Sequence, residues 1–301
     1  MDAKLNSDAP IFIVGSQRSG TTMLRLMLNA HPHIAIPFES GFITRIYHDL
    51  EKVGDLNQIN NLKLLLDKIA ANKFVEQGGL IVNREKILEQ HPKSYADLIG
   101  LIYQMYAQKN GKIRWGDKEP AYVTDIDILY KIFPNLKVIH LVRDGRDVAL
   151  SLRNLSWGSK NLPRLAREWA WKVTLARKSG SFLKDQYCEV KYEDLVQNPE
   201  ATLQDLCAFI DEEYMPEMLK YHVSAAKEMP KNSLDFHKNS VRKPDISKIY
   251  MWEKKMDRGD QVIFQEEAGK ALELFDYKPV KKDNTLTVKL KKLKYALIER
   301  W

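Results

Sequence analysis

A run of small and polar residues near the N-terminus, from Gly15 to Thr22 (GSQRSGTT), has the composition of an anion-binding loop. The apolar residues 11–14 before it predict a buried β-strand. From Thr21 onward the apolar residues fall at helical spacing, which predicts that a helix begins there. In a strand, glycine loop and helix unit, backbone N–H groups and the partial positive charge of the helix N-terminus face the loop. Such a unit can bind a phosphate or a sulfate group.

The spacing of the two glycines is nearly that of the P-loop of nucleoside-triphosphate enzymes, with one difference. The P-loop has a lysine directly before its Ser/Thr, whereas this chain has Thr21 there. Because that lysine binds the β- and γ-phosphates, its absence argues against an ATPase or a GTPase. Arg18 supplies a positive charge from inside the loop instead. An ordinary glycine turn is the alternative for the two glycines alone; the strand, the Arg-Ser-Gly-Thr-Thr segment and the helix together favour anion binding.

Polar residues also follow the other predicted strands. Predicted strands alternate with predicted helices, which indicates an α/β fold: a P-loop-like parallel β-sheet flanked by helices on both faces, in a single domain. Such sheets bind their ligands at the carboxyl ends of the strands. We therefore expect the residues that come at or just after strands to converge on the glycine loop: Glu39, Lys118, Arg143 and Tyr192.

Apolar periodicity predicts the helices between these strands. Ser94 is a suitable N-cap for a helix over 95–108. Residues 231–247 are predicted to form an irregular basic loop. The other predicted helices span 41–53, 58–72, 123–133, 163–185, 199–211, 246–256 and 260–275. Because no linker, repeat or low-complexity segment separates these elements, we predict one domain over 1–280, followed by a tail over 281–301.

The composition is that of an ordinary globular protein, with 301 residues of which 44% are hydrophobic. No apolar run approaches the ~18 residues that would indicate a membrane span. The first residues are acidic and polar, unlike a signal peptide. The two cysteines, Cys188 and Cys207, are interpreted as small core residues. We therefore expect a disulfide-free, cytoplasmic protein. No group of His, Cys and Asp has metal-ligand spacing, so no metal is expected.

The net charge of +7 is concentrated in the tail, where seven Lys and Arg stand against two acids. Since no basic groove with aromatic residues is evident elsewhere, no nucleic-acid partner is expected. Apolar residues recur every three or four positions among the lysines: Leu286, Leu290, Leu293, Leu297 and Trp301. This stripe predicts a basic amphipathic helix. Two interpretations stay open: the stripe docks on its own domain, which is the favoured one, or it makes peripheral contact with an anionic membrane.

Taken together, the polar segments resemble the sulfotransferases that use 3′-phosphoadenosine 5′-phosphosulfate (PAPS). The segments that carry the resemblance are Arg18-Ser-Gly-Thr-Thr with Arg25, Ala30-His-Pro, Asp117-Lys-Glu-Pro, Phe133-Pro-Asn and Arg143-Asp-Gly-Arg. Their order and spacing are most similar to the branch that includes tyrosylprotein sulfotransferases and many bacterial members. The resemblance covers 10–43, 113–155 and 187–198 well, and the rest loosely.

The resemblance implies which residues bind the nucleotide. Those that correspond to the 5′-phosphosulfate site are Arg18, Ser19, Gly20, Thr21 and Thr22. Arg143 and Ser151 correspond to the 3′-phosphate site, and a guanidinium beside a hydroxyl suits that group. Arg146 is expected to form an ion pair with the neighbouring acids instead. Tyr192 and Ser240 match positions near the nucleotide less closely, with packing or a solvated loop as the alternative.

By the same resemblance, Glu39 and Lys118 correspond to catalytic residues. Glu39 matches the base that takes the acceptor's proton, and its pKa should then be raised by partial burial. Its alternative is a carboxylate at a helix start. Lys118 matches the lysine that binds the bridging oxygen and stabilises the leaving phosphate; its alternative is an exposed ion pair. Arg18 is expected to act in catalysis as well as in binding. The nearby histidines are interpreted as structural: His31, His33 and His140.

The predicted function is transfer of the sulfuryl group of PAPS to a hydroxyl, or less readily an amine, by in-line displacement. The product would be 3′-phosphoadenosine 5′-phosphate (PAP). A nucleotide kinase or NTPase is the alternative enzyme, and a non-catalytic adenine-nucleotide binder is the alternative outside enzymes. The acceptor can be a small molecule, a glycan, a lipid or a peptide. Segments 40–112, 153–165 and 222–245, where the resemblance fades, are expected to bind it.

Overall fold

A parallel sheet of five strands lies at the centre of the molecule. The computed structural model describes residues 9–298, apart from the side chains at 231, 232, 235 and 298. The strands are β1 (Ile11–Val14), β2 (Ile34–Ala35), β3 (Arg114–Lys118), β4 (Lys137–Val142) and β5 (Tyr187–Lys191). They are ordered β2-β3-β1-β4-β5, and every neighbouring pair is parallel. The central strand is therefore β1, which leads directly into the glycine loop.

Helices fill the connections between the strands. The α-helices are α1 (Thr21–Asn29), α2 (Ile43–Tyr47), α3 (Leu50–Val53), α4 (Ile59–Ala70), α5 (Lys73–Gln77), α6 (Arg84–Glu89), α7 (Tyr95–Lys109), α8 (Ile126–Ile132), α9 (Gly145–Arg153), α10 (Leu162–Gly180), α11 (Tyr192–Gln197), α12 (Pro199–Phe209), α13 (Trp252–Lys255), α14 (Arg258–Leu274) and α15 (Leu286–Ile298). Short 3₁₀ helices span Pro120–Thr124, Lys184–Gln186, Pro216–Val223, Ala225–Glu228, Lys231–His237 and Ile246–Lys248. Within the described range, no helix is long and apolar enough to cross a bilayer.

The alternation of side chains along β1 divides the core between the two faces of the sheet. Phe12 and Val14 pack with the helices between β2 and β4, from α2 to α8. Ile11 and Ile13 point the other way and pack with α1, α11 and α12. A third apolar cluster joins α9 and α10 to α14 and α15. Both faces of the sheet are thus covered, and the predicted single-domain α/β fold is confirmed.

Most predicted elements are present, with shifted ends. The helix predicted over 41–53 is two short helices, because the chain turns at Asp49, whose carboxylate accepts hydrogen bonds from Lys52 and Lys68. The helix predicted over 163–185 ends at Gly180. Ser94 caps α7 as expected, with its side chain accepting a hydrogen bond from the Asp97 backbone N–H.

The C-terminal helix α15 docks on the domain, but not through the leucine stripe, as the favoured interpretation of the sequence expected. Val288 and Tyr295 are buried against the third apolar cluster, whereas the predicted leucine stripe faces outward. On the same side of the helix, Lys291 forms ion pairs with Asp257 and with Asp260, the latter at 2.9 Å. The docking face of α15 therefore combines two buried apolar side chains with an ion-paired lysine. Trp301, the last residue of the predicted stripe, lies outside the described residues.

Candidate active site

A cavity of about 400 Å³ opens at the carboxyl ends of β1, β3 and β4, a size in the range of small-molecule sites. The residues predicted from the sequence that line it are Arg18, Gly20, Thr21, Thr22, Glu39, Arg143, Ser151, Tyr192 and Ser240. The two remaining predicted residues, Ser19 and Lys118, are fully buried beside it. The structure thus brings all of these residues to one edge of the sheet.

The glycine loop has no room for larger residues at its two ends. A Cβ on Gly15 would lie 2.5 Å from the carbonyl oxygen of Leu141 in β4. Gly20 has a φ of +96°, and a Cβ there would lie 2.4 Å from the ring of Tyr192. These close contacts direct the chain from β1 into α1. The first N–H groups of a helix have no partner within the helix, so those at the start of α1 are available to a ligand at the cavity.

Two arginines from different elements meet above this loop. The Arg18 side chain donates from Nε to Ser151 Oγ at 3.0 Å and from Nη1 to the Phe236 carbonyl at 2.9 Å. Arg143 donates from Nη1 to the Arg18 carbonyl at 3.2 Å and from Nη2 to the Lys248 carbonyl at 2.8 Å. Arg18, which the resemblance assigns to the 5′-phosphosulfate, therefore contacts the hydroxyl of Ser151, which the resemblance assigns to the 3′-phosphate.

The electrostatics of this pair favour an anion. Burial lowers the pKa of Arg18, and the neighbouring charge of Arg143 lowers it further. Among the described residues, Asp147 is the acid closest to Arg143, with 3.7 Å between Nη2 and Oδ2. Within the described part of the chain, two buried donor atoms of residues in and beside the loop, Ser19 Oγ and Arg143 Nε, have no hydrogen-bond partner. A phosphate or sulfate group, which accepts hydrogen bonds on several oxygens, fits this set of donors.

Lys118 and Glu39 form an ion pair at the floor of the cavity. Lys118 is the last residue of β3, and its Nζ contacts Glu39 Oε1 and donates to Thr22 Oγ1 at 3.3 Å. The ammonium also lies 5.0 Å from the centre of the Phe38 ring. Glu39 precedes α2 by several residues, so it is not a helix-start carboxylate. Lys118 is 0% exposed, so it is not a loop residue in a solvated ion pair.

The pKa expected for Glu39 is wrong for this state of the protein. Burial acts to raise the pKa, as predicted, but the charge and the hydrogen bond of Lys118 outweigh burial, and His237 and Arg25 add to their effect. The pKa of Glu39 is therefore held below its ordinary value. The sequence prediction considered Glu39 without its partner across the sheet, and that partner decides the sign.

Buried side chains on both sides fix the position of Glu39. Arg25, on α1, donates to the carbonyl of Ile36 at 2.9 Å and to that of Glu228 at 3.2 Å. On the other side, Ser40 Oγ donates to Asp117 Oδ2 at 2.8 Å. The segment that carries Glu39 is thus anchored before and after it, although it has no regular secondary structure.

Among the titratable residues at the cavity that were not predicted as site residues, His237 and Glu119 have strongly shifted pKa values. His237 packs edge-to-face on Phe38 at 5.8 Å, and burial, followed by the Lys118 charge, lowers its pKa to about 4. Burial and the neighbouring Glu39 raise the pKa of Glu119 to about 7. The position of Glu119 directly after Lys118 was a usable signal. His237 lies in a segment without periodicity, which gave no signal.

Other polar groups noted in the sequence have partners elsewhere. Arg146 forms the expected ion pair with Asp144, at 2.7 Å, but it is buried rather than exposed. Within residues 9–298 one group has metal-ligand chemistry: His31, His33 and Glu212. His31 Nδ1 accepts from a backbone N–H, and its Nε2 faces the Glu213 carbonyl, so neither nitrogen is free to bind a metal. This group lies at the amino-terminal edge of the sheet, opposite the cavity.

Several known proteins with similar sequences are protein-tyrosine sulfotransferases. The chain is 23% identical over 260 residues to protein-tyrosine sulfotransferase A of Caenorhabditis elegans, covering 83% of this chain and 63% of that protein. It is 28% identical over 214 residues to protein-tyrosine sulfotransferase 1 of Danio rerio, covering 68% and 54%. The chain thus spans about half to two thirds of the length of these relatives.

Solved structures extend the likeness to the fold. The sulfotransferase domain of the curacin biosynthetic pathway matches with a TM-score of 0.60 and 24% identity, over 90% of this chain and 99% of that one. The sulfotransferase domain of the olefin synthase of Synechococcus PCC 7002 matches with a TM-score of 0.61 and 21% identity, over 93% and 98%. The model of the sulfotransferase family matches residues 10–216, more than half of the chain. The chain belongs to the sulfotransferase family and is a transferase of sulfuryl groups.

Proposed function

We propose that the sulfate donor is PAPS and that the acceptor atom is a hydroxyl oxygen, with PAP as the second product. One observation carries this proposal: Arg18 and Arg143 meet at the cavity beside the buried, unpartnered Ser19 Oγ and Arg143 Nε. A ligand with anionic groups on both ends of a nucleoside would satisfy these donors together. The family membership supports the same reaction.

In this proposal the glycine loop and α1 bind the 5′-phosphosulfate. The backbone N–H groups of Thr21 and Thr22 donate to its oxygens, and so do Ser19 Oγ and the Arg18 guanidinium. Arg143 and Ser151 bind the 3′-phosphate, and Arg143 is oriented by the Tyr192 ring, which lies 4.4 Å away. The 3′-phosphate then takes the place of the Lys248 carbonyl on Nη2.

The Lys118 ammonium interacts with one anionic group before the donor binds and with a second one afterwards. Before the donor binds, its ammonium neutralises Glu39. With a phosphosulfate in the loop, the ammonium also faces the bridging oxygen, where negative charge develops as the sulfur–oxygen bond breaks. Because the phosphosulfate then also interacts with the Lys118 ammonium, the ammonium stabilises the Glu39 carboxylate less. The pKa of Glu39 therefore rises from its lowered value in the free protein. The acceptor oxygen forms its bond to sulfur, the bond from sulfur to the bridging oxygen breaks, and Glu39 takes the acceptor's proton.

The geometry disfavours the NTPase alternative. Besides the missing P-loop lysine, an NTPase needs an acid at the end of a neighbouring strand to hold Mg²⁺. Asp117 in β3 has the right type, but it is fully buried, accepts a hydrogen bond from Ser40, and has its pKa raised to about 6 by burial. It points away from the loop, whereas the next residue, Lys118, points toward it.

Calorimetry and one substitution test the proposal. PAP should bind at least about tenfold more tightly than AMP, because AMP lacks the 3′-phosphate. Glu39→Gln should keep PAP affinity within about threefold and lower turnover by about 10²- to 10⁴-fold, as loss of a general base does. Glu273→Gln, an exposed change on α14, is the matched control. PAP binding no tighter than AMP would contradict the nucleotide assignment, and unchanged turnover in Glu39→Gln would contradict the base.

The acceptor class is tested by mass spectrometry. The protein is incubated with ³⁴S-labelled PAPS and pooled metabolites, glycans, lipids and peptides, including tyrosine peptides because of the names of the relatives. Labelled products identify the acceptor. The same incubation with Mg²⁺ and ATP measures hydrolysis, which a sulfotransferase does not perform. Turnover of ATP without sulfated product would favour the kinase alternative, and PAP binding without any turnover would favour a non-catalytic binder.

A further inference from the structure

The C-terminal helix α15 has an unusual distribution of apolar side chains. Of the α15 side chains described, 286–297, those of Val288 and Tyr295 are the deeply buried ones on the face that packs on the domain, and Tyr295 also donates to Asp260 Oδ1 at 3.1 Å. Lys292 adds a hydrogen bond to Glu266 at 2.9 Å. These contacts, with the ion pairs of Lys291, fix the rotation of the helix about its own axis.

The opposite face is apolar and open to solvent. Its residues are Leu286 (71% exposed), Leu290 (58%), Leu293 (60%) and Leu297 (56%). Single exposed leucines are common on soluble proteins and need no explanation. Four leucines in one continuous stripe over three turns of one helix are a different case, because exposed apolar patches of that kind mark interaction sites.

The charges around the stripe show which partner suits it. At about 3.6 residues per turn, Lys289 and Lys294 lie on the two opposite borders of the leucine stripe. Both are exposed, and among residues 9–298 no acid lies within 4 Å of either ammonium. The acids near this helix, Asp257, Asp260 and Glu266, all lie beneath it and pair with Lys291 and Lys292. The outward half of α15 is thus apolar along its centre and cationic along both borders.

We propose that α15 is a peripheral membrane-binding helix that lies in the surface of an anionic bilayer. The leucine stripe enters the boundary between headgroups and acyl chains, about 5–10 Å deep. Lys289 and Lys294 extend to the lipid phosphates at the same level, as lysines at bilayer surfaces do. The docking face keeps the rest of the protein attached to the helix. This inference does not depend on the sulfate donor or on the acceptor.

A second copy of the chain suits this surface less well. Two-fold pairing of the stripes would bring the lysines of both copies along the same borders, and none of the described residues on the outward face is an acid that offsets their repulsion. An acidic helix of another protein would match the charges, but its affinity would not depend on a bilayer. Both alternatives are outcomes of the test below.

Vesicle sedimentation of the full chain tests the proposal. The probes are vesicles of phosphatidylcholine alone and vesicles in which 30% is replaced by phosphatidylserine. We expect binding to the anionic vesicles that is at least about tenfold tighter than to the neutral ones and that weakens as salt is raised. Equal or absent binding to both would overturn the proposal, as would dimerisation in light scattering that masks the stripe.

Paired variants separate the two contributions. Leu290→Ser with Leu293→Ser should weaken anionic-vesicle binding at least about tenfold, and Lys289→Gln with Lys294→Gln about 10- to 30-fold. The matched control is Leu64→Ser with Ile81→Ser, two residues 57% and 52% exposed far along the chain from α15, which should leave binding unchanged. PAP affinity reports correct folding of each variant. If the leucine pair binds like the wild type, the stripe is not the membrane contact.

Discussion

The two walls of the cavity are built in different ways. One, here called the strand-end wall, consists of the glycine loop at 15–22, Lys118 and residues 143–151, which follow β4 and include most of α9. Its side chains extend from strand ends and helix starts and are held by buried contacts. The other, here called the late segment, consists of residues 230–248, which form only short 3₁₀ turns. The late segment rests on the arginines of the strand-end wall through the carbonyls of Phe236 and Lys248.

This difference separates two tasks. The strand-end wall keeps its positive groups in place without a ligand, which is the preorganisation that charge-stabilising sites require. The late segment supplies carbonyl oxygens to donors that a phosphate would otherwise take. A carbonyl carries no net charge, so an anion can replace it on an arginine with a gain in interaction energy. We therefore expect the strand-end wall to determine chemistry and the late segment to adjust when the nucleotide binds.

Among the substitutions that compare the two walls, the largest effect should follow Lys118→Met in the strand-end wall. Loss of the ammonium removes the charge that stabilises the leaving phosphate, so we expect kcat to fall by about 10²- to 10³-fold. PAP affinity should fall by no more than about tenfold, because the loop and both arginines remain. Steady-state kinetics and calorimetry measure the two quantities.

His237→Ala in the late segment is the counterpart of that change, and it should lower kcat by less than about tenfold. Lys118→Met also leaves Glu39 without its partner, so the double variant with Glu39→Gln serves as a folding control. Equal losses of kcat in Lys118→Met and His237→Ala would remove the distinction between the two walls.

An intermediate effect is expected for Arg143→Lys. The substitution keeps the charge but loses the paired geometry of the guanidinium and its stacking on Tyr192. PAP affinity should fall by about 10- to 100-fold, whereas AMP affinity should change by less than about threefold, because AMP lacks the 3′-phosphate. Arg84→Lys, on the exposed surface of α6, is the control for the substitution type. An equal loss for both nucleotides would place Arg143 at the other phosphate.

A smaller, pH-dependent effect should be confined to the late segment. His237 has a pKa lowered to about 4 where it packs on Phe38, facing the charges of Lys118, Glu39, Arg18 and Arg25. When the segment detaches, the imidazole regains its ordinary pKa of about 6.5. The detached form therefore binds the proton first as the pH falls. Docking of the segment should weaken between about pH 6.5 and pH 4, by up to about 3 kcal/mol, and change no further below that.

Hydrogen exchange or limited proteolysis across residues 230–248 measures this docking. His237→Phe keeps an aromatic ring on Phe38 but has no titratable group, so its protection should be independent of pH over the same interval. Protection that falls equally in the variant would assign the pH dependence to another group, and protection of the wild type that rises on acidification would contradict the sign.

The sequence was sufficient where local pattern determines structure. The residues of the glycine loop lie where the strand, the small residues and the helical spacing placed them, because only glycine fits the contacts of Gly15 and Gly20. Glu39, Lys118 and Arg143 converge because parallel strands end at the same edge of a sheet. These predictions needed the order of elements and no knowledge of side-chain contacts.

The sequence was not sufficient where the answer depends on a neighbour from a distant part of the chain. The sign of the pKa shift of Glu39 is set by Lys118, which lies on another strand. The face of α15 that docks contacts Asp257 and Asp260 at the start of α14 and a distant apolar cluster, so periodicity identified the amphipathic helix but not which face is buried. His237 reaches the site from a segment that has no periodic signal. In each case the missing information is a tertiary contact.

The smallest effects are expected when the same substitution, Ser→Ala, is made in each of the two walls. Ser19 Oγ is buried without a partner, so Ser19→Ala should leave the ligand-free protein as stable or more stable, by up to about 1 kcal/mol. It should nevertheless weaken PAP binding by about three- to tenfold, because the hydroxyl loses its ligand partner. Ser240, half-buried in the late segment, should change PAP binding by less than about twofold when replaced by Ala. Thermal unfolding with and without PAP separates stability from binding. A hydroxyl that costs stability in the free protein and contributes affinity in the complex is what a preorganised wall predicts, and a loss of stability in Ser19→Ala would show that the hydroxyl serves the fold instead.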